Sequence, residues 1–78
     1  MIFEKVREII ADQMTIDKNS ITPETLFVDN LGADSLDILK LVTELEEIYK
    51  IEFEPSELEK MKTVSDAVEY IKKATAQN

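Results

Sequence analysis

The chain has 78 residues, no cysteine, no histidine and a formal charge of −8. Such a length suits one small domain, near the size at which a single core just suffices, and the composition excludes disulfides, thiolate metal sites, a cysteine nucleophile and a histidine triad. The acidic balance argues against nucleic acid, whose phosphates attract basic faces, and without imidazole there is no general base tuned near neutrality.

Helical periodicity dominates from the first residues. The start, Met1-Ile2-Phe3-Glu4-Lys5, is amphipathic and charged, unlike a signal peptide, and no run approaches a membrane span, so a cytoplasmic protein is expected. Ile2/Phe3, Val6, Ile9/Ile10 and Met14 recur at helical steps and predict a first helix over 2–15 with one apolar stripe. Asp17 to Pro23 reads as a loop, because Asn19-Ser20 and Thr22-Pro23 are turn and breaker chemistry. Thr22-Pro23-Glu24-Thr25 suits a brief turn, and Leu26-Phe27-Val28 suits an apolar clip packed into the core. Gly32, the one glycine of the chain, permits positive φ in the approach to the second helix.

The second helix is expected over Ser35–Lys50, with Asp34 as N-cap and Asp37 completing a capping-box-like arrangement. Its apolar residues are Leu36, Ile38, Leu39, Leu41, Val42, Leu45, Ile48 and Tyr49. That set is wider than one stripe and predicts a central helix with more than one neighbour. Ile51 to Pro55 reads as an extended link, followed by a short helix over 56–61. Thr63 and Asp66 form a capping box for a last helix carrying Val64, Ala67/Val68 and Ile71, and the tail from Lys72 to Asn78 is expected to fray. The fold class is therefore all-α, a small four-helix bundle of three main helices and one short one, with a long loop between helix 1 and helix 2.

Charge is not spread evenly. Residues 29–59 hold ten acids against only Lys40 and Lys50, and the remaining charges of the chain cancel. A solvated surface kept for solubility is one reading; a surface steering basic partners is the other, since concentrated like charge costs stability through self-repulsion. Asp29, Asp34 and Asp37 do not make a calcium loop: counted from Asp29, Leu31 and Ala33 stand where oxygen ligands are needed, and Asp34 where glycine is. No metal site is expected. Glu46/Glu47 and Glu52/Glu54 are adjacent or near-adjacent acids with nothing to indicate a pocket around them, so they read as surface and not as an acid–base pair.

Ser35 is the exceptional hydroxyl, placed at the mouth of a strongly apolar helix just after the glycine. Helix N-termini favour phosphate, but no base adjoins this serine, which leaves it a poor nucleophile by itself. In this setting Leu31-Gly32-Ala33-Asp34-Ser35-Leu36-Asp37 closely resembles the acyl carrier protein family. Leu45-Glu46-Glu47 and Thr63-Val64 with Asp66-Ala67-Val68 resemble the family pattern at the corresponding places, and the resemblance spans nearly the whole chain.

The resemblance implies a single carrier domain over 1–78, a monomer and no enzyme, in which 4'-phosphopantetheine is attached covalently to Ser35 by a phosphopantetheinyl transferase. Acyl intermediates would ride on its thiol as thioesters between enzymes of fatty-acid or related biosynthesis, giving a thiol to a chain that has no cysteine. The same resemblance makes Asp34, Leu36, Asp37, Glu44, Glu46 and Glu47 contacts for basic docking patches on acyl-transferring, elongating or modifying enzymes. It also makes Leu45, Phe53, Met61, Ala67 and Tyr70 the lining of an acyl cavity, though each also serves as ordinary core. Phe53 stands where a smaller aliphatic residue is frequent and is expected to shorten that cavity, with the adaptable Met61 offsetting it. Four positions depart from the pattern: Asn30, Lys40 and Lys50 where acids are frequent, and Ile38 where a small polar residue is usual. They leave a specialised pathway such as polyketide synthesis open, beside an aminoacyl carrier or an unmodified acidic interaction module. Ala33-Asp34 before the serine and the acidic second helix favour acyl cargo.

Overall fold

A computed structural model describes residues 2–75 and contains four α-helices: α1 (Ile2–Met14), α2 (Ser35–Tyr49), α3 (Pro55–Lys60) and α4 (Val64–Thr75). Among the described residues there is no strand, only one antiparallel bridge between Leu26 and Thr63. α1 buries Ile2, Val6, Ile9 and Ile10 along its apolar stripe. It ends one residue earlier than expected, because Thr15 takes a left-handed conformation with φ of 56°, which cannot continue a right-handed helix.

The long connection is more ordered than its turn-rich composition suggests. Asp17 caps a 3-10 turn over Lys18–Ser20 by accepting from Asn19 N–H. Thr25 N–H donates to Thr22 O at 3.0 Å and Thr25 Oγ1 accepts from Thr22 N–H at 2.8 Å, closing the expected turn. Ile21, read from sequence only as part of the loop, is buried. Of the clip Leu26-Phe27-Val28, Phe27 alone is buried, whereas Val28 is 62 % exposed. The chain turns from Phe27 to Leu31, with Asn30 and Leu31 N–H donating to Leu26 O at 3.0 and 3.1 Å, and the turn holds Phe27 in the core while Val28 faces solvent. Gly32 adopts φ of +67° in open space, so the conformation and not crowding makes glycine the favoured residue.

α2 ends at Tyr49, with Lys50 as a left-handed C-cap at φ of 57°. The expectation of a central α2 is corrected. Leu41, Val42 and Leu45 are buried, but Leu36, Leu39 and Ile48 are exposed at 67 %, 55 % and 42 %. The surplus apolar width faces solvent, and α1 is the helix that packs against both α4 and α2. After the extended link Ile51–Glu54, Pro55 occupies the first turn of α3, where its missing N–H costs nothing. Thr63 and Asp66 cap α4 as expected: Asp66 Oδ2 accepts from Lys62 and Thr63 N–H at 2.9 and 3.0 Å, and Thr63 Oγ1 accepts from Asp66 N–H at 3.1 Å. α4 runs through Lys72 and Lys73 to Thr75 instead of fraying at Lys72, with Thr75 Oγ1 donating to Ile71 O at 2.7 Å. The last part of the expected frayed tail, residues 76–78, lies outside the described residues.

Candidate functional site at the start of α2

Ser35 is the first residue of α2, exposed, and its hydroxyl has no hydrogen-bond partner among the described residues. Its two acidic neighbours are turned onto the backbone. Asp34 Oδ1 accepts from Asp37 N–H at 2.9 Å and Asp37 Oδ2 accepts from Asp34 N–H at 3.1 Å, a reciprocal capping box. The Asp37 amide, with further help from the Asp37 side chain and the Leu36 amide, holds the Asp34 carboxyl below its ordinary value of 3.8. Neither carboxylate bonds the serine hydroxyl, so the site presents a free hydroxyl with no base held against it. Below it the helix is anchored to α1, where Gln13 Nε2 donates to the Asp37 carbonyl at 2.7 Å.

These features fit a phosphodiester. A free, exposed hydroxyl stands at the positive end of a 15-residue helix, the place where a phosphate is best received. The capping box leaves the hydroxyl unobstructed by spending the flanking carboxylates on main-chain donors.

The remaining predicted contacts divide by geometry. Asp34, Leu36, Glu44 and Glu47 are exposed, while Asp37 and Glu46 are half-buried. Glu46 is committed internally, its Oε2 accepting from Phe53 N–H at 2.8 Å. Leu45, Phe53, Met61 and Ala67 are buried in the one core cluster, and Tyr70 packs against it. The Tyr70 ring stacks on Phe53 at 4.5 Å, and its hydroxyl donates to Glu52 O at 2.7 Å and accepts from Glu54 N–H at 3.4 Å. Phe53 and Tyr70 thus close over the α2–α3 link. A small space of about 10 Å³ on the other side of α2 was not anticipated; it lies among Ile10, Phe27, Leu31, Ala33, Ile38 and Leu41. Ile38 is thereby placed facing α1, and Asn30 serves the loop by accepting from Leu26 N–H at 2.8 Å.

Leu39 and Ile48 are surface residues that the sequence assigned to the core. A signal was available: Leu36, Leu39 and Lys40 share a helical face with Ser35's flank.

Residues 4–71 match the family model for the phosphopantetheine attachment site. An acyl carrier protein of Clostridium acetobutylicum is 53% identical over 75 residues, covering 96% of this chain and 97% of the relative. One from Clostridium perfringens is 47% identical over 74 residues, covering 95% and 97%. Among solved structures, the acyl carrier protein of Enterococcus faecalis superimposes with a TM-score of 0.79 at 31% identity, covering 99% of this chain and 94% of that one. A candidate acyl carrier protein of Mycobacterium tuberculosis gives 0.82 at 32% identity, covering 97% and 96%.

The fold and site define a phosphopantetheine-attachment domain, a carrier that other enzymes act upon and not a catalyst. The chain belongs to the acyl carrier protein family and carries acyl groups on covalently attached 4'-phosphopantetheine.

Proposed function

We propose that Ser35 is the attachment point and that the chain, as one carrier domain over 1–78, shuttles thioester-bound acyl intermediates among enzymes of fatty-acid or related biosynthesis. The carrying observation is the exposed, unpartnered Ser35 hydroxyl at the first position of a capped helix. In the priming step Ser35 Oγ forms a P–O bond to the phosphorus next to pantetheine in coenzyme A. The pyrophosphate bond breaks, adenosine 3',5'-bisphosphate leaves, and the hydroxyl proton goes to a base on the transferase, since this chain offers none beside the serine.

The clients, a phosphopantetheinyl transferase and acyl-transferring, elongating or modifying enzymes, carry basic patches that meet Asp34, Asp37, Glu44, Glu46 and Glu47. Leu36 is the apolar contact at their centre. Rim charges favour fast, brief encounters over tight ones, which suits a monomeric carrier visiting many enzymes in the cytoplasm. The acyl chain shelters against Leu45, Phe53, Met61, Ala67 and Tyr70, four of which are buried in the core.

Intact mass tests the proposal. Incubation with coenzyme A and a broad-specificity transferase is expected to add one phosphopantetheine to wild type and none to Ser35→Ala. Unmodified wild type, or a modified Ser35→Ala, overturns it.

A further inference from the structure

Three ion pairs among the described residues share one geometry. Arg7–Glu4 at 2.9 Å, Lys60–Glu57 at 3.8 Å and Lys72–Glu69 at 3.6 Å each join a base to the glutamate three residues before it. Lys40 has an acid at the same offset, Asp37, yet the two form no ion pair. The capping box is the reason, because Asp37 Oδ2 is turned back onto the Asp34 amide at 3.1 Å. The device that starts α2 therefore leaves Lys40 exposed and outside the ion pairs of the described residues, in a stretch where every other charge from Asp29 to Glu47 is negative.

Lys40 also faces a groove that two helices form. It lines a shallow groove between α1 and α2, together with Asp12 and Gln13 from α1 and Leu39, Thr43, Glu44 and Glu47 from α2. Two of these polar side chains are spent internally: Gln13 Nε2 donates to Asp37 O at 2.7 Å and Thr43 Oγ1 to Leu39 O at 2.8 Å. What remains to meet a partner is three carboxylates around one ammonium, beside the exposed Leu39. A uniformly basic surface gains at Asp12, Glu44 and Glu47 but meets repulsion at Lys40, and such an element rejects wrong partners as effectively as attraction selects right ones.

We propose that this groove selects partners, fitting a protein surface that sets a carboxylate opposite Lys40. That carboxylate is flanked by basic residues for Asp12, Glu44 and Glu47 and by an apolar side chain for Leu39. The inference rests on the carrier reading above and carries the docking surface from the Ser35 helix onto α1.

The test uses the phosphopantetheine-loaded protein and the acyltransferase of its own organism that loads it, comparing wild type with Lys40→Glu and Asp12→Lys. Lys40→Glu is expected to lower kcat/KM by about threefold to tenfold through KM, with kcat unchanged and the effect fading in high salt. A charge reversal of the opposing acyltransferase carboxylate is expected to restore it. Asp12→Lys is expected to slow loading more than Glu8→Lys, the same charge change on α1 outside the groove. Assays run well below the melting temperature of every variant, with unchanged helical circular dichroism, exclude folding as the cause. Loading of Lys40→Glu as fast as wild type or faster overturns the proposal, since general steering by an acidic surface predicts that sign; equal effects of Asp12→Lys and Glu8→Lys overturn the α1 part. Failure of wild type to accept phosphopantetheine sinks the carrier reading instead, so the two failures are separable.

Discussion

Glu46 Oε2 accepts the backbone N–H of Phe53 at 2.8 Å, so an acid of α2 secures the link leading to α3. The bond spans seven residues and fixes the chain where Phe53 turns inward to stack on Tyr70. A substitution at Glu46 therefore changes both surface charge and the order of the link. Glu46→Ala, which removes the acceptor, is expected to destabilise by about 1 kcal/mol in urea unfolding. Glu46→Gln keeps an acceptor oxygen and should cost less. If both variants slow client association equally while only alanine destabilises, the two roles of the residue are separated. Equal stability of all three proteins removes the structural role.

The α4 cap offers a simpler test. Thr63 Oγ1 satisfies the Asp66 amide, and Thr63 sits at the bridge to Leu26. Thr63→Ala is expected to lower stability by about 1 kcal/mol, with Thr63→Ser recovering most of it. Chemical denaturation at neutral pH measures both, and an alanine variant as stable as wild type shows that water replaces the cap.

Stability should fall at acid pH. Asp34 and Asp66 are held below the ordinary value of 3.8, mainly by the Asp37 amide in the first case and the Thr63 and Lys62 amides in the second. A depressed carboxyl binds its proton less readily in the folded state than in the unfolded one. Its contribution is therefore complete above the unfolded value and is lost as pH falls through the folded one. The melting temperature is therefore expected to fall as pH drops below 3.8. Asp34→Asn and Asp66→Asn should flatten that acid limb. A melting temperature that does not fall on acidification would mean that the caps contribute nothing. At the alkaline end, burial raises the Tyr49 hydroxyl above 10.0, so its contribution is full below that value and disappears as pH climbs past it.

Salt gives a further contrast. Residues 29–59 carry the whole net charge, and screening weakens both their mutual repulsion and their attraction for basic clients. Sodium chloride or magnesium is expected to raise the melting temperature and slow association with client enzymes. Stopped-flow rates that do not change with ionic strength argue against steering.

The proposed acyl lining is tested at Phe53, which stacks on Tyr70 in the core. Phe53→Leu is expected to cost about 1–3 kcal/mol through lost packing against Tyr70 and to protect longer thioesters from hydrolysis. Hydrolysis rates across a series of chain lengths measure this, and an unchanged length profile places the cargo elsewhere in the core.

Much of the molecule follows from local chemistry. The apolar steps from Ile2 to Met14, the Asp34–Asp37 and Thr63–Asp66 capping pairs and the proline opening α3 each act within a few residues. Helices, their starts and the exposed serine at the head of α2 were accordingly legible without coordinates. The capping motif around Ser35 likewise contained the family resemblance.

Where apolar residues end up is a longer-range matter. Val28, Leu36, Leu39 and Ile48 are as apolar as Phe27, Leu41 and Leu45, yet the first four are exposed and the last three buried. Hydrophobicity says that a residue can be buried, and only the placement of neighbouring helices says that it is. The same holds for polar groups. Gln13 looks available on α1, but its side-chain amide donates to the Asp37 carbonyl 24 residues away. Glu46, an ordinary surface acid by sequence, is held by Phe53 N–H. Sequence by itself determined the helices, the capped serine and the acidic surface, because those depend on neighbours along the chain. Tertiary structure decided which apolar side chains and which charges remain free to meet a partner, because hydrogen bonds and packing commit groups that lie far apart in sequence.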